Sequence, residues 1–268
     1  MMKRLLAFPL PRIGQKTELS QDEAHHATQV YRLGNNDKVE LLDGEGQAVV
    51  ARLIQQGKKI FVECIEKTHP HSLQQNPLPI DLAIGILKGE AMEWVIEKAV
   101  ELGVRRLTPL ITERTVVDTR KKGALFFVDR WQKIADQALK QCGRLTRLRV
   151  EQPMPLQNFF SKTNPNTVYF CDEGGALKSP FLQNVVKNLH PLPLSTSVTL
   201  FIGPEGGWDD SERLLFHNAH HVSLGPLVLR AETAALFAIS IFSAQYLAEY
   251  LAKNSDRALD TGRSLKRS

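Results

Sequence analysis

The chain reads as an α/β protein, with a small β-rich domain ahead of a larger domain built on a mostly parallel sheet. Three observations predict this. From Ile80 onward, short apolar runs that fit buried strands alternate with longer segments of helical period. Before that point, strand-like runs are joined by glycine turns. Between the two regions, His69–Pro79 is rich in Pro and polar residues, as linkers are. The expected boundaries are a first domain at 1–72, a linker at 73–79 and a second domain at 80–253.

The elements follow in order. Residues 1–12 place basic residues near an apolar run, as signal peptides do. That run is too short and is interrupted by Pro9, Pro11 and Arg12, so a first strand is expected instead. Ser20 and Glu23 form a capping-box pattern ahead of Ala24, Ala27, Val30 and Tyr31, which predicts a helix ending before Gly34. Strands are expected over Lys38–Leu42, Gln47–Ile54 and Lys59–Glu66, with turns at Asp43–Gly46 and Gln56–Lys58. In the second domain, Ile80–Leu87 reads as a strand and Gly89–Leu102 as a helix that Gly103 ends. Arg106–Ile111 is a strand, and Leu125–Gln141 a helix ending near Gly143. Val168–Cys171, Phe181–Leu189, Val198–Ile202, Trp208–His220, His221–Leu224 and Arg230–Lys253 continue the alternation. Residues 254–268 lack apolar periodicity and are expected to be disordered.

Composition bounds the function class. Hydrophobic residues at 43% and charged residues at 24% are ordinary globular values. No apolar run reaches eighteen residues, so no membrane span is expected. Cys64, Cys142 and Cys171 are far apart and odd in number, which fits free thiols in a reducing cytoplasm. The net charge is +5, and residues 73–150 alone carry 14 basic against 9 acidic residues. Nine Lys/Arg lie between Arg120 and Arg149, opposed there only by Asp129 and Asp136. A concentrated basic segment is an electrostatic footprint of nucleic-acid binding, although a solvated helix face gives the same count.

Two loops carry the chemistry. Val198–Ile202 runs straight into Gly203, Pro204, Glu205, Gly206 and Gly207, and Asp209–Glu212 then reads as an acidic helix start. Val222–Leu224 runs through Gly225 and Pro226 into a long helix from Arg230. Glycine-rich loops at the carboxyl ends of α/β strands let backbone approach a ligand closely. Neither loop is a P-loop or a dinucleotide fingerprint. There is no nucleophile elbow, and the histidines lack partners at metal-ligand spacing, so no metal site is expected. Met92, Trp94, Val95 and Ile96 read as core.

The motifs as a set resemble one family. Phe201–Trp208 and Leu224–Ala235 match the SPOUT superfamily of S-adenosylmethionine-dependent RNA methyltransferases, and within it the ribosomal RNA small-subunit methyltransferase E family. Lys88–Trp94, Glu97–Ala99, Glu101–Gly103 and Gln141–Arg144 match too, and the resemblance covers residues 1 to about 253. The family commonly has Arg at the position of Ala91, Thr at Val100, Ser at Cys142 and a Pro a few residues after Arg144. The resemblance implies a SPOUT-type α/β domain with a deep C-terminal trefoil knot, preceded by a small PUA-like β-barrel used on RNA. Periodicity alone would give an ordinary doubly wound fold.

The implied activity is S-adenosyl-L-methionine-dependent methylation of uridine N3 in 16S rRNA, in the small ribosomal subunit or its assembly intermediate. The implied enzyme is a cytoplasmic homodimer, with no metal and no membrane association. Leu87, Gly203, Pro204, Glu205, Gly207, Leu224, Gly225, Leu227, Leu229, Glu232 and Thr233 are the expected cofactor residues. Gly203 and Gly207 bring backbone close, the leucines line an adenine slot, and Glu205 and Glu232 oppose the cofactor's positive charge. Arg230 is the first candidate to stabilise the developing uracil anion, and Arg144 the second, acting across a dimer interface or on phosphate. Arg120, Lys121, Lys122, Arg144 and Arg147 are the expected RNA contacts. Two alternatives stand beside this reading: a SPOUT enzyme acting on tRNA or another rRNA site, and a non-catalytic RNA-binding module.

Overall fold

The computed structural model describes residues 2–68, 78–119, 123–173, 179–188 and 197–264. Two compact units emerge: Met1–Pro77 with Lys133–Leu148, and Leu78–Gln132 with Arg149–Ser268.

The first unit contains β1 (Lys3–Leu6), β2 (Lys16–Glu18), α1 (Gln21–His25), β3 (Lys38–Leu42), β4 (Ala48–Gln56) and β5 (Lys59–Lys67). Its sheet has the order β1-β3-β4-β5-β2, with β1 parallel to β3 and the other pairs antiparallel. Burial alternates along β5, so Ile60, Val62 and Cys64 point into a core with Leu5, Leu41, Ala51 and Leu53. The Ser20 hydroxyl caps α1 by accepting from the Glu23 N–H at 3.3 Å. The helix widens to π geometry over His26–Val30 and ends at Tyr31, before Gly34 as expected.

Only half of the expected capping box forms. The Glu23 carboxylate accepts from the Leu6 N–H at 3.0 Å and from Lys140 Nζ at 2.6 Å. Lys140 lies in the long helix Ala124–Cys142, which also brings Lys133 to Asp22. These ion pairs explain why Lys133–Leu148 joins the first unit rather than the second, where its place in the sequence put it.

The second unit contains β6 (Ile80–Gly85), α2 (Glu90–Glu101), β7 (Arg106–Ile111), the part of α3 (Ala124–Cys142) that precedes Lys133, β8 (Arg149–Val150), β9 (Met154–Pro155), α4 (Leu156–Phe160) and β10 (Val168–Cys171). It continues with α5 (Leu182–Lys187), β11 (Val198–Ile202), α6 (Asp210–Arg213), β12 (His220–Val222) and α7 (Ala231–Ser264). The strand order is β12-β10-β11-β6-β7-β8, with β9 on β7, and every pairing is parallel. Strands β6, β10 and β11 are buried at every residue. That burial is why they read as continuous apolar runs. The chain leaves β6 toward β7 and β8 on one side and later fills β10, β11 and β12 on the other. The direction of winding therefore reverses beside β6, and in open α/β sheets ligand crevices form at such a switch.

Three expectations need correction. The helix after Trp208 is only α6, followed by a 3₁₀ turn over Leu214–Phe216, because Phe216 turns into an aromatic core with Phe170, Phe201 and Trp208. Trp94 is 41% exposed, on the outer side of α2 opposite the buried Met92, Val95 and Ile96. Helix α7 runs through Ser264, past the boundary expected at Lys253. Its stretch Ala231–Leu251 is long and apolar enough to cross a membrane by length and composition alone. Ala235, Ala238, Ile239, Phe242 and Tyr246 on it are buried in the unit's own core, while Phe237, Leu247 and Leu251 are exposed.

Candidate active site

Loops from the carboxyl ends of three neighbouring strands, β10, β11 and β12, line one cavity of about 690 Å³. It lies wholly in the second unit.

The loop after β11 is tied down on all sides. Gly85 on β6 has no room for a Cβ, because the Pro204 backbone nitrogen would lie 2.5 Å away. The Glu205 carboxylate accepts from the Lys88 N–H at 2.9 Å, which fastens the loop to the exit of β6. Arg114, from the exit of β7, donates to the Gly206 carbonyl at 3.1 Å. Gly207 takes φ +70°, and a Cβ there would collide with the Glu173 carboxylate. Trp208 is buried, and its Nε1–H donates to the Cys171 carbonyl at 3.2 Å. A full capping box closes the loop. Asp209 accepts from the Ser211 N–H, and Glu212 accepts from the Asp209 N–H at 3.0 Å. The second oxygen of Glu212, a residue 1% exposed, accepts from the Glu113 N–H at 3.0 Å.

The loop after β12 is looser. Ser223 Oγ accepts from the Gly225 N–H at 3.2 Å, and Gly225 takes φ +127°. Leu227 and Val228 are 75% and 78% exposed, though both line the cavity. Arg230 stands on the wall, solvent-exposed, one residue ahead of α7.

The sequence-predicted residues divide cleanly. Gly203, Pro204, Glu205, Gly207, Leu224, Gly225, Leu227, Leu229, Arg230 and Glu232 all line the cavity. Leu87 and Thr233 do not. Leu87 is 1% exposed in the core, and Thr233 faces solvent on α7. Sequence reasoning missed the third loop, Cys171, Asp172 and Glu173, as well as Ala91 and neighbours within the two expected loops such as Trp208 and Val228. The available signal was an apolar strand running into Cys171, Asp172, Glu173, Gly174 and Gly175, the same strand-to-glycine pattern as the loop after β11. Burial pushes the Cys171 thiol up to about 12, so it is a neutral wall group and not a nucleophile. Asp172 forms a bidentate pair with Arg213 at 3.0 and 3.1 Å. Glu173, Glu232 and Arg230 have no ion pair among the described residues, and all three line the cavity, so side chains of both charge signs stand on its wall.

The expected basic surface is largely neutralised. Arg144 is 8% exposed in the first unit and does not line the cavity. Its Nε–H donates to Thr146 Oγ1 at 3.1 Å, and burial lowers its pKa to about 10. Arg147 pairs with Asp136 through two bonds and lies over the Phe8 ring. Arg130 pairs with Glu93, and Lys133 and Lys140 pair with Asp22 and Glu23. A count over residues 120–149 overstated the patch because Glu93, Asp22 and Glu23 lie outside that segment. Arg120, Lys121 and Lys122 fall outside the described residues. No His, Cys or carboxylate cluster able to hold a metal occurs among the described residues.

Comparison with known proteins places this geometry. Residues 74–243 match the RNA methyltransferase domain family, and residues 19–64 match the RNA methyltransferase PUA domain family. A ribosomal RNA small subunit methyltransferase E from Synechocystis is 32% identical over 250 residues, covering 91% of this chain and 78% of that protein. Its namesake from Bacillus subtilis is 29% identical, covering 85% of this chain and 89% of that one. Among solved structures, a methyltransferase from Legionella pneumophila with bound cofactor SAM superposes with a TM-score of 0.81 at 32% identity, covering 91% of this chain and 98% of the other. A ribosomal RNA small subunit methyltransferase E from Neisseria gonorrhoeae bound to S-adenosyl methionine gives 0.79 at 30% identity, covering 90% and 96%. With its methyltransferase and PUA regions both matched, and the three-loop cavity within the first of them, the chain belongs to the ribosomal RNA small subunit methyltransferase E family.

Proposed function

We propose that the protein methylates N3 of a uridine in 16S rRNA, with S-adenosyl-L-methionine held in the three-loop cavity. The observation that carries this reading is the fit of the cavity to that cofactor. Its volume suits a nucleoside-sized ligand. Gly225 occupies a positive-φ position on its wall with open space beside it, leaving backbone open to a ligand, and Gly207 at φ +70° makes room for the Glu173 carboxylate against the loop. Leu224, Leu227 and Leu229 offer an apolar slot for adenine, and the carboxylates of Glu173 and Glu232 on the wall oppose a net positive ligand. Bound there, the cofactor supplies an electrophilic methyl carbon.

The chain's own groups do the rest. Glu205 and Arg114 hold the loop after β11 so that its backbone faces the ligand in a fixed geometry. Arg230, exposed on the wall, offers a guanidinium to the uracil ring as N3 gives up its proton to solvent water and negative charge spreads to the ring oxygens. The target atom lies on the pairing edge, so the base has to leave any duplex first. Arg144, buried in the first unit, leaves the catalytic role to Arg230.

Further parts of the proposal rest on particular features. The exposed Phe237, Leu247 and Leu251 of α7 suit coverage by a second copy in a homodimer. A trefoil knot would follow from the path of the chain. It crosses from β11 over β10 to β12, then returns in α7 against β11 and β6. The first unit, a mixed five-stranded sheet, would act as a PUA-like barrel that reads RNA within the small subunit, alongside Arg120, Lys121 and Lys122. Three free cysteines suit a cytoplasmic setting.

Mass mapping of modified nucleotides in rRNA from cells lacking the protein tests the assignment. The expected result is loss of one N3-methyluridine from 16S rRNA, restored by the wild-type chain and not by Arg230→Ala. Unchanged 16S rRNA, or a loss confined to tRNA, would overturn it.

A further inference from the structure

The same sheet carries a second cavity at its opposite, amino-terminal edge. Strands buried on both faces of a parallel sheet are expected to be apolar. Yet Thr199 on β11, Asp81 on β6 and Arg106 on β7 stand side by side in register across the three central strands. Thr108 follows on the same face of β7. Thr108, Thr199 and Asp81 are 2%, 5% and 2% exposed. These four residues line a cavity of about 580 Å³ together with Lys162 and Glu151, among others.

The hydrogen-bond inventory decides what fits. Asp81 is saturated. It accepts from Arg105 at 3.1 and 2.8 Å and from Arg106 Nη2 at 2.6 Å. Arg106 Nε is buried and makes no hydrogen bond. The hydroxyls of Thr108 and Thr199 and the ammonium of Lys162 have no partner among the described residues. A buried donor without an acceptor is costly, and native structures leave few. The open valences are therefore mostly donors, two of them cationic. Among the described lining residues, the carboxylate without a hydrogen bond is that of Glu151, which suits a hydroxyl rather than a second anion.

We propose that this cavity binds a sugar phosphate. The phosphate oxygens take the Arg106 Nε–H, the Lys162 ammonium and the two threonine hydroxyls, and Glu151 accepts from a sugar hydroxyl. The unit comes either from a free phosphorylated sugar or from the ribose-phosphate backbone of RNA. The second source rests on the RNA substrate proposed above, and the first does not.

Calorimetry on the full chain with ribose 5-phosphate tests the free source. Lys162→Gln, at an exposed position, and Thr199→Val, close to isosteric, are the variants, and cofactor affinity in the same samples reports their folding. Saturable binding is expected, weakened about tenfold by Lys162→Gln, as the loss of one charge-assisted bond implies. If ribose 5-phosphate does not bind, the RNA source requires that Lys162→Gln lower the slope of log K against log salt for an rRNA fragment by roughly 0.7 to 0.9. Wild-type ribose 5-phosphate affinity in both variants, or no binding together with an unchanged salt slope, would overturn the site.

Discussion

The two cavity loops predicted from sequence differ in how they are held, and the contrast separates positioning from recognition. The loop after β11 is braced by Glu205, Arg114, Trp208 and the Asp209–Glu212 capping box, each with its own hydrogen bond. The loop after β12 is held, among the described side chains, by Ser223, whose Oγ accepts from the Gly225 N–H and donates to its carbonyl, and Leu227 and Val228 stay more than 70% exposed. A braced wall keeps its shape without a ligand. An exposed apolar wall gains stability when something covers it, at about 25 cal/mol per Å² buried. The first loop thus sets the geometry of the site, and the second responds to what enters it.

Breaking the brace should produce the largest effect. Glu212→Ala removes a buried carboxylate that accepts from two backbone N–H groups, at Asp209 and Glu113. A loss of about 3 to 4 kcal/mol in folding stability is expected, since each bond to a charged acceptor contributes about 1.5 to 3 kcal/mol. Denaturant unfolding checks this; a change below about 1 kcal/mol would mean the brace is not structural.

On the looser loop, Arg230→Ala should leave stability alone and slow methyl transfer. Loss of one preorganised charge stabiliser raises the barrier by about 3 kcal/mol. Single-turnover rates on cofactor-saturated enzyme measure it. Weakened cofactor affinity at an unchanged rate would move Arg230 from the reacting base to the cofactor.

Gly225→Val sharpens the comparison. The glycine's φ of +127° is costly for a β-branched residue, by about 1 to 3 kcal/mol, while the nearest atom to a new Cβ is an uncrowded 3.8 Å away on Phe181. The loop should shift and cofactor affinity fall at least tenfold, with the unfolding midpoint nearly unchanged. A parallel fall in stability would show that this loop is as integral to the fold as the first.

The smallest effect concerns pH. Hydrogen bonds from Ser211, with Arg114 nearby, hold the Asp209 carboxyl below its ordinary range. A lowered folded pKa means that its stabilisation is full above the ordinary aspartate value near pH 4 and lost as pH falls through the lowered one. The stability difference between wild type and Asp209→Ala should therefore be constant at neutral pH and shrink in acid. A difference that stays level down to pH 2 would exclude the ionised cap.

Much of this was legible in the sequence, for reasons particular residues make plain. Lys38–Leu42, Arg106–Ile111, Val168–Cys171 and Val198–Ile202 form strands over the expected residues, because half- or fully buried strands carry their burial pattern in their composition. Ten of the cavity residues were found because glycine loops after strands are a local signal. Long-range pairing was not legible. Glu23 looked like a helix cap and instead neutralises Lys140, 117 residues away. Arg144 and Arg147 looked like an RNA patch and are held by burial and by Asp136. The Glu173 loop carries the same strand-to-glycine pattern, and its place on the cavity wall follows from β10 lying beside β11 in the sheet order.

The polar row across the central strands bears on how this sheet assembles. Strands of Leu, Ile, Val and Ala would slide past one another by two residues and still bury apolar side chains on both faces. Asp81, 2% exposed, forbids that between β6 and β7. In the observed alignment it faces Arg106 directly and reaches Arg105. Displaced by two residues, it would face Thr108 and be left as an isolated buried charge, which costs far more than the pair returns. The carboxylate thus works as a key for strand alignment, excluding mispaired sheets during folding as much as it holds the finished one.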